Sequence, residues 1–218
     1  MFYGEIHNGK HVDSELREYF PDFNYKGVFF DVGAFHPITI SNSHHFFENG
    51  WDVYSFESIP SNVENLKAHR QIDKIFNCAI SDKDKDEVEF QIVETLPGWT
   101  ASFSSLNIDE EYKQKFGFND SWLKKKIKIP QRSLNSIIKE NIPELKRIDI
   151  LSIDVEGGEL ACLKGLDIQK YKPKIIVIED VSMTNKYYEY LKQFGYIFDK
   201  NNAYNYFYVS DDFNLKSI

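Results

Sequence analysis

Cysteine is scarce in this chain. Cys78 and Cys162 are the only two among 218 residues, and they stand far apart, so neither a disulfide framework nor a Cys-x-x-Cys metal site is available. Both lie in apolar stretches, which reads as buried thiols in a reducing compartment. An excess of basic charge is also missing: 26 Lys and Arg face 34 Asp and Glu, a formal charge of −8. A general nucleic-acid binder needs clustered cations to neutralise phosphates. The one basic run, LKKKIKIP at 123–130, alternates as a solvated strand face does. No apolar run approaches the ~18 residues of a membrane span. The opening MFYGEIHNGKH lacks the basic and apolar regions of a secretory signal. A cytoplasmic protein with no nucleic-acid or membrane partner is expected. No repeat and no linker rich in Pro, Gly or Ser divides the chain, so a single domain over 1–218 is expected.

What the chain has is a series of short apolar runs separated by helical patterns. GVFFDVG, WDVYSFE, KIFNCAIS, RIDILSIDVEGGE and KPKIIVIED read as strands buried on both faces. DSELREYF reads as a helix with Asp13 as its cap, and SNSHHFFEN offers Ser41 or Asn42 as another. IPSNVENLKAHR carries Pro60 in a first turn. SLNSIIKENI, ELACLKGL and NKYYEYLKQFG are further helices, the last stopped by Gly195. DEVEFQIVE and KKIKIPQ alternate as strands around a long mixed interval, which suggests a lid or binding loop. YIFDKNNAYNYFYVS closes the chain as a hairpin. Alternation of this kind gives an α/β fold: a mainly parallel sheet with helices on both faces and one antiparallel strand from the hairpin.

Ligands of such sheets bind beyond the carboxyl ends of the strands. Those ends are rich in acids here: Asp31, Glu57, Asp82, Asp154, Glu156, Glu159, Glu179 and Asp180. One acid at a strand end is commonly a helix cap or turn residue; acids at four successive tips are harder to assign that way. Glu57, closing the second strand, suits the two hydroxyls of a ribose. A dinucleotide would need a G-x-G-x-x-G turn for its pyrophosphate. The turn here is DVGAFHP, with one Gly and with Asp31 in place of a phosphate cradle. A cationic nucleoside fits better, and S-adenosyl-L-methionine has a ribose, a sulfonium and an ammonium but no phosphate.

The stretches FFDVGAFHPITISNS, GWDVYSFESIPSNVENLKAH, NCAISD, SLNSII and IDILSIDVEGGELACLKGL followed by KPKIIVIE resemble the FkbM-type methyltransferases. The ordered set, DVEGGE above all, carries the likeness. FESIP departs from it, since many relatives have Pro directly after the acid. The resemblance implies a Rossmann-like class I methyltransferase fold, a seven-stranded, mostly parallel sheet with its last strand antiparallel. It also implies O-methyl transfer from S-adenosylmethionine. Carried onto this chain, Asp31, Gly33 and Ala34 form the methionine-side turn and Glu57 holds the ribose. Ser58 and Ile59 line the adenine, with the backbone around Ala79 and Ile80 opposite. Ser41, at a helix start, binds the methionine carboxylate, and Asp154 sits near the transferred methyl.

An alcohol acceptor must lose a proton during methyl transfer, and the candidate bases are Asp154, Glu156 and His36. His36 alone has an ordinary pKa near neutrality; a packing role under the Pro37 turn competes with catalysis. His44 and His45 read as surface or packing residues. Asn42, Trp99 and Glu179 are assigned to the acceptor, with Trp99 either a lid against a sugar ring or a packed loop residue. A metal at Asp154, Glu156 and Glu179 is conceivable, but the sulfonium explains the acids equally, so none is assigned. The expected acceptor is a hydroxyl of a small molecule, foremost a sugar or glycan, and the chain is expected as one module fused to or working with glycosyltransferases. An NAD(P)-dependent oxidoreductase and a non-catalytic nucleoside-binding domain stand as alternatives; the missing glycines count against the first.

Overall fold

Each apolar run becomes a strand with two faces to bury. The computed structural model describes residues 1–96, 99–100 and 123–213. The central sheet comprises β1 (Val28–Val32), β2 (Asp52–Glu57), β3 (Ile75–Asn77), β4 (Ile150–Ile153), β5 (Ile175–Glu179), β6 (Tyr196–Asn202) and β7 (Asn205–Ser210). Their order across the sheet is β3-β2-β1-β4-β5-β7-β6. Alternation within the runs sends side chains both ways. Phe30, Leu151 and Ile176 join one core with Leu134, Ile138, Leu163 and Tyr187. Phe29, Ile150 and Ile175 join a second core with Val12, Leu16, Phe46 and Trp51. Helices α1 (Val12–Glu18) and α2 (His44–Glu48) therefore cover one face. Helices α4 (Leu134–Asn141), α5 (Glu159–Lys164), α6 (Ile168–Tyr171) and α7 (Lys186–Leu191) cover the other, and α3 (Pro60–Lys67) packs Val63 and Leu66 on Ile75 and Ala34.

The sheet is mixed, which corrects the simpler expectation of a parallel sheet with one antiparallel strand added last. β1 to β5 are parallel, whereas β7 is antiparallel to β5 on one side and to β6 on the other. The chain-final strand is thus inserted in the sheet, with two antiparallel seams. Apolar content decides the placement: Phe207 and Tyr208 of β7 are buried, while β6 exposes Ile197, Phe198 and Asp199 at the sheet edge.

A second, four-stranded sheet was not foreseen. It is built by Ala79–Ile80, Leu123–Arg132, Lys85–Leu96 and Trp99–Thr100. KIFNCAIS is accordingly not one strand: it leaves the central sheet after Asn77, and Ala79 and Ile80 pair with Gln131 and Arg132. The lysine run is a solvated strand face, as expected. Lys126 and Lys128 pair at 2.6 Å with Glu89 and Glu87 across the strands, while Ile127 and Ile129 pack inward near Phe90. Both cysteines are free and buried, and burial pushes the Cys78 thiol up to about 12. Among the described residues no helix is long and apolar enough to cross a membrane.

Two expected caps are corrected. Asp13 lies inside α1; its carboxylate accepts from Tyr3 N (2.7 Å) and Gly4 N (3.0 Å), tying the N-terminal segment down. Ser41 and Asn42 precede α2, whose cap position is Ser43.

Candidate active site

The ends of β1, β2, β4 and β5 open into one cleft, lined among others by Asp31, Glu57, Asp154 and Glu179. Its floor depends on one glycine. Gly33 follows β1 with φ +87°, and a Cβ there would lie 1.7 Å from the Asp154 carbonyl oxygen. Only glycine allows the β1 turn to press against the β4 turn in this way. Gly33 N and Ala34 N both donate to Phe56 O, at 2.9 and 3.2 Å, which binds the same turn to β2.

Glu57 closes β2 and is 6% exposed. Its Oε2 accepts from Phe35 N (2.8 Å) and its Oε1 from Ile59 N (2.7 Å). Burial pushes its pKa up to about 7, against the pull of those N–H groups. A carboxylate oxygen has a second acceptor direction, so each Glu57 oxygen retains capacity for a ligand hydroxyl while fixing both loops around the cleft.

Asp31 stands one strand over, and its surroundings differ. Ser43 Oγ donates to it in a very short hydrogen bond, and the Arg70 guanidinium lies 3.7 Å away. Arg70 itself is 8% exposed. It donates to Ser43 Oγ (2.9 Å), Ser55 Oγ (2.8 Å), Ser41 Oγ (2.9 Å) and Pro37 O (2.9 Å). Burial raises the Asp31 pKa while Arg70 and Ser43 act to lower it. Sequence reading missed Arg70: nothing in KAHR marks a cation that folds back under the preceding strand tips. Its presence corrects two expectations. The cation near Asp31 comes from the chain itself, and Ser41 is held by Arg70 rather than standing at a helix N-terminus.

Asp154 and Glu179 close β4 and β5. Side-chain oxygens of Asp154, Glu156 and Glu179 lie within 4.8 Å of one another, all three half-buried. Carboxylates this close repel when both are charged, so the arrangement favours a proton on one of Asp154 and Glu179. Burial, then repulsion from Glu5 and Glu159, pushes Asp154 up to about 8. Burial and the Asp154, Glu156 and Glu159 charges raise Glu179. Helix-capping by these acids is a plain alternative role, but the cap position of α5 is Gly158, with no side-chain cap bond among the described residues; Glu159 instead fixes the preceding turn, accepting from Gly157 N (2.8 Å) and Val155 N (3.3 Å), with Tyr187 Oη donating at 2.7 Å. Glu156 sits at φ 58° and Gly157 at φ 108°, so the DVEGGE turn is wound through two left-handed residues.

Of the residues singled out, Asp31, Gly33, Ala34, Ser41, Asn42, Glu57, Ser58, Ile59, Asp154, Glu156 and Glu179 all line this cleft. Three do not. His36 is outside it, with Nδ1 accepting from Ile38 N (3.1 Å) and Thr39 N (2.9 Å); burial lowers its pKa, and it is a turn-fixing residue. Ala79 packs behind Ile59 with Phe90 and Ile129. Ile80 belongs to the core and accepts from the Cys162 thiol at 3.2 Å. The Trp99 side chain and most of the interval 95–122, with the lid expected at 98–105, lie outside the described residues. Sequence reading also missed Glu5, Asn62 and Phe90 in the lining. Phe90 was hidden because it reaches the cleft from the second sheet.

No curated protein matches the chain. Among solved structures, an FkbM methyltransferase from Methylobacillus flagellatus KT is similar at a TM-score of 0.49 and 14% identity, over 84% of this chain and 43% of that one. This chain therefore spans less than half the length of that protein. A precorrin-6y C5,15-methyltransferase from Geobacter metallireducens GS-15 is similar at a TM-score of 0.41 and 14% identity, over 95% of this chain and 92% of that one. The model of the methyltransferase FkbM domain matches residues 31–198, well over half of the sequence. From the Asp31 turn to the first strand of the terminal hairpin, the protein belongs to the FkbM methyltransferase family.

Proposed function

We propose that the chain is an S-adenosylmethionine-dependent O-methyltransferase of Rossmann-like class I architecture, acting on a hydroxyl of a sugar or similar polyol. The observation that carries the reading is the charge pattern of the cleft. Asp31 is balanced by Arg70, while Asp154 and Glu179 are crowded by the charges of Glu5, Glu156 and Glu159. A ligand that brings a positive centre relieves that crowding, and one that brings a pyrophosphate worsens it. The donor set fits S-adenosylmethionine on the same ground, with Glu57 offered to the ribose and the Asp154 side to the sulfonium. When bound, that group supplies an electrophilic methyl.

The chain's own residues then have separable tasks. Gly33 and Ala34 hold the β1 turn against β2 and β4. Glu57 fixes the loops at Phe35 and Ile59, and Ile59 with Phe90 supplies an apolar wall. Asn42, whose Nδ2 lies 3.5 Å from Ser152 Oγ, and Glu156 offer hydrogen bonds to a polyol from the cleft lining. Alignment of acceptor and methyl is worth many orders of magnitude. Removal of the acceptor proton by a positioned carboxylate adds ~10²–10⁴-fold.

Two measurements test this. Thermal shift with S-adenosylmethionine, S-adenosylhomocysteine, NAD and ATP should show stabilisation by the first two; stabilisation by NAD alone would overturn the reading. Labelled methyl donor offered with glycans, catechols, fatty acids and peptides should label a glycan, and label confined to peptide would refute the acceptor class.

A further inference from the structure

Glu179 stands between two spaces. It lines the main cleft with Asp154 and Glu156, and it also lines a smaller cavity with Glu159, Asp180, Lys186 and Tyr187. In that cavity Asp180 is 1% exposed; its Oδ2 accepts from Thr184 N (2.9 Å), and its buried Oδ1 has no hydrogen-bond partner among the described residues. An orphaned buried acceptor beside a cavity is a place for a water to donate. Glu179 can therefore be reached from the ligand on one side and from water on the other.

We propose that Asp154 and Glu179 act as one catalytic proton acceptor, whose shared proton is expelled when the cationic methyl donor binds and replaced by the acceptor's proton when the methyl leaves. This rests on the proposed methyl transfer and assigns Glu179 a part in it. As the acceptor oxygen bonds to the methyl carbon, the carbon–sulfur electron pair stays on sulfur. The hydroxyl proton passes to the carboxylate pair, so the pair gains one positive charge as the donor loses one. The cleft keeps the same net charge through the reaction, and no buried charge is created or abandoned.

The groups facing the pair support this from every side. Glu5 lines the same cleft, held by Asn205 (3.1 Å) and His7 (3.3 Å). Glu156 sits in the adjoining turn, and Glu159 is on α5 under the Tyr187 hydroxyl. Asp31, on β1, is already matched by Arg70. Lys186, on α7, acts on Asp180. The charges of Glu5, Asp31, Glu156 and Glu159 that act on Asp154 or Glu179 are all negative, which favours keeping one proton until a ligand cation arrives.

The test is calorimetric titration of the whole protein in buffers of different ionisation enthalpy, with S-adenosylmethionine and, separately, its uncharged-sulfur product S-adenosylhomocysteine. Binding of the former should release about one proton near pH 7, and its affinity should rise up to ~10-fold per pH unit below about pH 8. The product should release close to none. Glu179→Gln and Asp154→Asn, each confirmed folded by product binding, should abolish the difference. Equal proton release by the two ligands in the native protein would overturn the inference and leave the methyltransferase reading standing. Failure of both ligands to bind would overturn both.

Discussion

Asp31 lies near the end of β1 opposite Ser152 of the neighbouring parallel strand β4, and Asp154 stands two residues further on, just past the end of β4. Their circumstances are opposite. Asp31 is buried against Arg70 and Ser43, so its charge is satisfied within the chain. Asp154 is half-buried among other acids, so burial and the neighbouring charges of Glu5 and Glu159 favour its protonated form. A strand-tip carboxylate is thus not in itself a ligand contact; what matters is whether the protein has already supplied the counter-charge. The first is a fixed strut under the cleft, and the second is the end held ready for a cation.

The comparison breaks most severely at Arg70. Arg70→Met leaves Asp31 buried without its cation, and a buried pair broken on one side costs ~3–5 kcal/mol. Chemical denaturation should show a loss of that order, and Asp31→Asn added to it should recover part of the loss. Gly33→Ala comes next. It forces a left-handed residue, worth ~1–2 kcal/mol of strain, and drives a Cβ toward the Asp154 carbonyl. Lower stability and lost donor binding should appear together, and a variant with native affinity would contradict the described turn. Glu57→Ala should weaken donor binding by ~1–3 kcal/mol through lost charge-assisted hydrogen bonds; unchanged affinity would place the ribose elsewhere.

The pH dependence sharpens the contrast further. Asp154, pushed up to about 8, and Glu57, pushed up to about 7, bind protons more tightly folded than unfolded. Their contribution is full below the ordinary carboxylate range and is lost as pH rises toward 8. Each makes ligand-free stability fall by at most ~1.4 kcal/mol per pH unit over that window. Melting curves from pH 5 to 9 should show the decline, and Asp154→Asn should flatten it. The smallest effect is at His36: His36→Ala gives up two turn hydrogen bonds, about 1 kcal/mol of stability, and should leave turnover per folded molecule unchanged.

Much of this was legible because burial on two faces demands continuous apolar runs, so FFDV, VYSFE, ILSI and IIVIE declared themselves as strands. The acids at their tips followed from the same reading, and eleven of the singled-out residues meet in one cleft. What stayed hidden depends on contacts distant in sequence. Arg70 lies beyond a helix end that gives no sign of where its side chain goes. Ala79 and Ile80 were misplaced because the chain switches sheets at Cys78, a change that periodicity over two residues cannot register. His36 looked catalytic from its pKa class, yet its ring nitrogen serves the backbone two and three residues on.

The most direct test of the contrast between the two strand tips is a crystal structure of the protein with S-adenosylmethionine bound. The account predicts ribose hydroxyls on Glu57, the sulfonium on the Asp154–Glu179 side, and the Arg70–Asp31 pair intact. A sulfonium lying against Asp31 with Arg70 displaced, or a donor seated outside this cleft, would contradict it.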